Sequence, residues 1–268
     1  MTNLQWGEYR APINCFLKRP RWKMRPKIIC HMIGSIDGRL LSNRWTALPE
    51  GTAPGSVLKV YEDVAKRLGA DGWIVGRKTM ADMVNGTRRK GTSATIPIAR
   101  NAHIGNRRAR SIAAAVDPSG RLHYGTDHVG AEHLVAIIGE QVSDEYLAEL
   151  REDGVSYLFA GADGYNLHAA VTALGNMFSA KTLLLEGGGT INGAFLKADL
   201  IDEISLLVYP GVDGLSGVPS IFEYHGTSPE EQPAAGRTLR LLSVEALSAG
   251  IIWIRYAVDR REQNDSTS

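Results

Sequence analysis

The sequence predicts an α/β fold. It should form a three-layer sandwich whose mainly parallel central sheet ends in an antiparallel C-terminal hairpin. Three observations carry that prediction. From residue 27 onward, short apolar runs alternate with helical patterns, which places parallel strands beneath crossover helices. The C-terminal end instead holds three strand-like runs with no helical pattern between them, as an antiparallel ending requires. No linker interrupts the chain, so its 268 residues read as one main domain over 27–258. An N-terminal arm (1–26) precedes it and a polar, disordered tail (259–268) follows it.

The elements follow in order. "KIICHMI" (27–33) is the first strand. In "SVLKVYEDVAKRLG" (56–69), Val57, Val60, Tyr61, Val64 and Leu68 share one helical face, with Ser56 as a plausible N-cap. "GWIVG" (72–76) is a short buried strand, with a helix beginning near Thr79. "SIAAAVD" (111–117) is another strand, stopped by Pro118-Ser119-Gly120. "HLVAIIG" (133–139) precedes a helix capped by Ser143, with Asp144 and Glu145 at its positive dipole end. "VSYLF" (155–159) leads to a helix over 166–179, then "TLLLE" and a short helix over 190–198. "EISLLVYP" (203–210), "RTLRLLSVEAL" (237–247) and "GIIWIRYAV" (250–258) complete the sheet. The polar, basic stretch 84–110 is long for a connection, which marks it as functional or mobile.

Composition excludes several classes. Hydrophobic residues make up 44%, charged residues 22%, and the formal charge is +1. A balance so near neutral gives no electrostatic reason to expect nucleic acid or an anionic membrane as partner. No run is long and apolar enough to span a bilayer, and the N-terminus has no secretory h-region. The two cysteines, Cys15 and Cys30, form no CxxC or Cys/His cluster. That argues against a disulfide framework or metal site and fits a reducing cytoplasm. The seven histidines show no metal spacing, and His31 reads as a packed, hydrogen-bonded side chain. G-x-S-x-G and P-loop motifs are absent.

Ligands of parallel sheets bind beyond the strands' carboxyl ends, and three loops there carry polar residues. "GSIDGRLLSNRW" holds Ser35, Asp37, Asn43, Arg44 and Trp45. Asp37-Gly38 is either an ordinary turn or part of a site in which Trp45 stacks on a planar group and Arg44 holds an anion. "VGRKTMAD" offers Gly76 for close backbone approach, with Arg77, Lys78 and Thr79 suited to a phosphate or ribose. A solvated basic turn explains the same residues. "EGGGTING" places Gly187, Gly188, Gly189 and Thr190 at a helix start, where free amides and the helix dipole suit a pyrophosphate. Its spacing is not G-x-G-x-x-G.

Together "GSIDGRL", "RW", "RLGADGWIVGRKT", "VDPSGRL" and "LLLEGGGTINGAFLKADLIDEISLLVYPGVDG" resemble the reductase domain of riboflavin biosynthesis. That domain is the C-terminal half of the bifunctional deaminase–reductase, and the pieces keep its order and spacing over about 27–258. The resemblance implies a dihydrofolate-reductase-like fold, a homodimer, and NADPH-dependent reduction of a ribosylamino-pyrimidine phosphate to its ribitylamino form. By the family pattern, Thr79 and the turn at Gly188, Gly189 and Thr190 hold the NADPH phosphates and ribose, with Gly76 and Gly187 beside them. Gly34 and Trp45 line the cofactor's path, Arg77 or Lys78 faces its 2′-phosphate, and Asp82 is a ribose candidate. Glu186 accepts hydrogen bonds from the pyrimidine, and Asp37 is a polar contact near the transferred hydride. Asn43, Arg44 and Arg67 are candidates to hold the substrate, with Arg67, Arg88 or Arg89 facing its phosphate. Departures are Asn43 where the family often has Ser, an Asp82 one residue closer to Thr79, and a longer loop after Trp45. No zinc-deaminase signature is present, so the expectation is a stand-alone reductase. A reductase of another pterin- or pyrimidine-like compound, or a non-catalytic nucleotide-binding protein, remains open on the residues alone.

Overall fold

The computed structural model describes residues 25–87 and 97–260. The arm up to residue 24, the stretch 88–96 with Arg88 and Arg89, and the tail from 261 lie outside the described residues.

Among the described residues ten strands form one sheet: β1 (Lys27–Gly34), β2 (Gly72–Gly76), β3 (Ile112–Val116), β4 (His128–Val129), β5 (Glu132–Ile138), β6 (Ser156–Phe159), β7 (Thr182–Leu185), β8 (Glu203–Val208), β9 (Arg237–Ala246) and β10 (Ile252–Arg260). Five helices connect them: α1 (Ser56–Leu68), α2 (Arg77–Ala81), α3 (Asp144–Glu152), α4 (Leu167–Phe178) and α5 (Gly189–Lys197). The order across the sheet is β4-β5-β3-β2-β7-β1-β8-β10-β9, with β6 beside β5. β1 pairs in parallel with β7 and β8, and β2 with β3 and β7. β10 runs antiparallel between β8 and β9, which is the predicted C-terminal hairpin. β10 continues through Asp259 and Arg260, two residues beyond the predicted limit.

Alternation along β1 shows how the layers form. Ile28, Cys30 and Met32 join the largest core cluster with Leu174 and Phe178 of α4 and Phe195 of α5. On the opposite face Ile33 packs with Val60 and Val64 of α1 and with Trp253. Further along that second face, Leu147 and Leu150 of α3 cover Ala113, Ala115 and Leu134. Between α1 and α3, Trp73 of β2 and Leu184 of β7 face the same side. A groove of about 430 Å³ lies there, lined by α1, Trp73, Leu184 and Glu186.

The caps of two helices differ from the sequence reading. Ser56 is the first residue of α1, and Gly55, in the left-handed region at φ 77°, takes the N-cap. α2 begins at Arg77, two residues before Thr79, because extended Gly76 is its cap. Ser143 does cap α3, accepting from the Tyr146 amide.

Candidate active site

β1, β2, β7 and β8 all run in one direction, so the loops after Gly34, Gly76, Leu185 and Val208 meet at one edge of the sheet. Two of them lock directly. The Gly76 amide donates to the Gly187 carbonyl at 2.9 Å, and the Gly188 amide donates to Thr79 Oγ1 at 3.1 Å. The "GRKT" and "EGGGT" turns are therefore one unit. The Gly187–Gly188 peptide is cis.

The glycines divide by what surrounds them. A Cβ on Gly189 would stand 2.1 Å from the Ser220 carbonyl oxygen, and one on Gly193 would stand 2.1 Å from that of Glu223. Gly187 has φ +89° and would press on the Met32 side chain. A segment at 218–224 thus straps across the start of α5, held by Glu223 N–H to Gly189 O, Ile221 N–H to Gly38 O and Asn192 Nδ2 to Ile221 O at 2.9 Å. The small residue at Gly34 also serves the strap, because a Cβ there would lie 3.1 Å from Ile221 Cδ1. Gly188 alone of the three has an open face, with nothing closer than Thr79 Oγ1 at 4.0 Å. The first intrahelical bond of α5 runs from Asn192 N–H to Gly188 O. The amides of Gly189, Thr190 and Ile191 thus precede the helical ladder, and no side chain caps them. This is a place where an anion fits.

Arg77 stands at the mouth of this turn, its Nε 4.0 Å from the buried Asp117. Asp117 Oδ2 accepts the Arg121 and Leu122 amides at 2.6 and 2.8 Å, while Oδ1 has no hydrogen-bond partner. Lys78 is exposed, and Asp82 ends α2 as its C-cap, donating its own amide to Met80 and Thr79 carbonyls.

The loop after β1 forms a second group with the loop after β8. Ser35 Oγ donates to Asp37 Oδ1 at 2.6 Å, and the amides of Asp213 and Gly214 donate to the Asp37 carboxylate at 3.1 and 2.9 Å. The Ser35 hydroxyl and these two amides hold the Asp37 carboxyl well below the usual range. It is an anion that stitches two loops and holds no proton to give. Arg44 makes a two-pronged pair with Asp213 (Nε–Oδ2 2.8 Å, Nη2–Oδ1 3.0 Å), so the anion it grips here is the protein's own. Trp45 packs on Tyr209 with ring centroids 4.7 Å apart, and Asn43 is exposed. Arg67 stands apart from both groups: it pairs with Glu245 at 2.6 Å and lies 4.4 Å over the Trp253 ring.

Glu186 follows β7 directly and lines the groove with Tyr61, Glu62, Lys66, Trp73 and Glu132. Burial pushes its carboxyl up to about 7; the Tyr61 hydroxyl opposes that rise and Glu132 adds to it. Sequence reasoning missed Tyr61, Asp213 and the strap. Tyr61 has helical spacing with four apolar residues and reads as core, while "PGVDG" enters only as the end of the motif that carries the resemblance. Among the described residues, no three His, Cys, Asp or Glu side chains are grouped to hold a metal ion.

The comparisons with known proteins bear on this geometry. A pyrimidine reductase-like protein from Corynebacterium diphtheriae is similar at a TM-score of 0.59 and 18% identity, over 88% of this chain and 92% of that one. RibD from Acinetobacter baumannii is similar at 0.55 and 23%, over 88% of this chain but only 58% of its own length. The riboflavin biosynthesis reductase Rib7 of Saccharomyces cerevisiae is similar at 0.53 and 14%, over 88% and 91%. At those identities the likeness is one of fold. No curated protein matches the chain. The RibD C-terminal domain family matches residues 26–253, spanning every strand from β1 into β10 and all the loops described above. The chain belongs to that family.

Proposed function

We propose that the protein is an NADPH-dependent reductase that converts a ribosylamino-pyrimidine 5′-phosphate to its ribitylamino form. The observation that carries this reading is the joined turn at Gly76–Thr79 and Gly187–Thr190. Its Gly188 face is open and its α5 amides are uncapped, and Glu186, two residues before Gly188, lines the groove. Those amides and Thr79 would hold the cofactor's pyrophosphate and ribose, with Arg77 and Lys78 on the side of the 2′-phosphate. When bound, the dihydronicotinamide supplies the hydride that the ring-opened sugar carbon accepts. The chain's own part is alignment and proton supply. Glu186, its carboxyl raised to about 7 by burial, would supply the proton to the heteroatom on the carbon that takes the hydride, whereas ionised Asp37 braces the loops. The test is NADPH consumption by purified protein with the deaminated and non-deaminated substrates. Absence of both cofactor binding and turnover sinks the reading.

One observation favours a second substrate. Among the described residues the groove carries Glu62, Glu132 and Glu186 against Lys66 alone, and Lys66 already faces Asp63 at 3.9 Å. An amino-rich pyrimidine or pterin without a phosphate suits such a lining better. Comparing phosphorylated with dephosphorylated substrate decides between them.

A homodimer in the cytoplasm completes the proposal. Leu239, Leu241 and Val244 of β9 are exposed; Leu241 and Val244 pair with Tyr256 and Ile254 of β10 on the same face, whereas Val258 opposite Leu239 is already buried in the core. That apolar strip needs a cover, and a second copy supplies one. No helix among the described residues is long and apolar enough to cross a membrane.

A further inference from the structure

Behind Glu186 lies a chain of buried polar groups that the proposed reaction does not use. His31 of β1 is fully buried and stacks on the Tyr61 ring, with centroids 4.4 Å apart and planes 24° from parallel. His31 Nδ1 is 3.1 Å from Ser205 Oγ, and that oxygen receives the Trp253 indole N–H at 2.8 Å. An indole nitrogen only donates. Ser205 Oγ thus bridges the indole and the His31 ring, while His31 Nε2 is buried with no hydrogen-bond partner among the described residues. Burial pushes the imidazole down to about 4, so it stays neutral. At the outer end the Arg67 guanidinium covers Trp253 and pairs with Glu245. β10, β8, β1 and α1 are thus fastened around one tyrosine.

The Tyr61 hydroxyl donates to the His31 carbonyl at 3.2 Å, and Tyr61 lines the same groove as Glu186, where it opposes the rise that burial gives that carboxyl. We propose that Tyr61 is the positioning residue for Glu186, held in place by the His31–Ser205–Trp253 chain, and that its hydroxyl turns from the His31 carbonyl to the carboxylate when Glu186 ionises. The charged and titratable groups around the pair are Glu62 and Lys66 of α1, Glu132 of β5, and His31 and Cys30 of β1. Burial pushes the Cys30 thiol up, so neither it nor His31 changes charge near neutrality.

The pH dependence of catalysis rests on the reductase reading, but the positioning is tested without turnover. The Glu186 titration midpoint in the free protein is measured by carboxyl carbon NMR, with Glu186→Gln identifying the signal. Tyr61→Phe keeps the ring and removes the hydroxyl; the midpoint should rise by about one pH unit, as loss of one hydrogen bond to a charged group implies. Ser205→Ala, a small change that unfastens His31, should move it the same way by less. With substrate, the alkaline limb of kcat should move with the midpoint while KM for NADPH stays unchanged. A midpoint unmoved in Tyr61→Phe overturns the proposal. A midpoint that moves in a protein with no NADPH turnover upholds the positioning and overturns the reductase reading.

Discussion

Replacing Gly193 by Ala separates the glycines that serve the chain from the one that would serve a ligand. Gly193 lies inside α5, where Ala alone would stabilise the helix by about 1 kcal/mol. Its Cβ, however, would meet the Glu223 carbonyl oxygen at 2.1 Å, the carbonyl carbon at 2.4 Å and the Tyr224 nitrogen at 2.8 Å. These lie well inside a van der Waals contact of roughly 3.5–4.0 Å. All three atoms are backbone, so no side chain can swing away and the strap itself must lift. Lifting it strains the bonds from Glu223 N–H to Gly189 O at 3.0 Å and from Asn192 Nδ2 to Ile221 O at 2.9 Å. Each is worth about 1 kcal/mol, and overpacking adds about 1–3 kcal/mol. After the helical gain, the net loss is about 2–4 kcal/mol, or a fall in Tm of roughly 5–15 °C in a chain of this size. Gly188→Ala should behave in the opposite way, with Tm unchanged and NADPH bound about tenfold more weakly, a cost of about 1.4 kcal/mol. Thermal scanning and a cofactor titration on both variants make the comparison. A Gly193→Ala protein as stable as the parent would refute the argument that the strap fixes this residue.

Three further outcomes follow from the same geometry. Glu186, raised from 4.5 to about 7, contributes stability that is lost as pH rises across that window. His31, lowered from 6.5 to about 4, contributes stability that is lost as pH falls across its own. The two slopes oppose each other, each on the order of 3 kcal/mol; Glu186→Gln should unmask acid sensitivity, and urea unfolding at about pH 5 and about pH 8 that shows no change in slope contradicts it. Arg67→Ala should lower stability slightly and leave the substrate KM alone, because Arg67 is occupied by Glu245 and Trp253; a raised KM would restore it to the substrate site. Val244→Glu on the apolar strip should turn the proposed dimer into a monomer, and light scattering showing an unchanged mass would move the interface elsewhere.

The legible parts of the fold were those that rest on periodicity. Every strand-like run from "KIICHMI" to "GIIWIRYAV" became a strand, because apolar alternation and helical spacing report directly on which face is buried. Helix starts were less legible at Gly55 and Gly76, where glycine backbone took the place of a capping side chain. In the site, the joined turns at Gly76–Thr79 and Gly187–Thr190 were readable as a unit because each follows a parallel strand. The partners of Asp37 and Arg44 were not, since Asp213 lies about 170 residues away in sequence and meets them only through the sheet order. Nor does spacing distinguish a glycine packed against another chain segment, such as Gly189, from one left open, such as Gly188.

The sheet order has a consequence for how the protein comes into being. β1 is the first of the described strands to be made, yet its two neighbours, β7 and β8, begin only at Thr182 and Glu203. During synthesis the central strand therefore waits unpaired while more than half of the chain emerges. Closing it joins residues some 150 positions apart or more, the kind of non-local pairing that slows folding. The loops of the proposed site come together only at that closing step. A nascent chain short of β8 can hold neither the site nor a covered β1, which makes arrest before residue 203 the point of greatest exposure to aggregation.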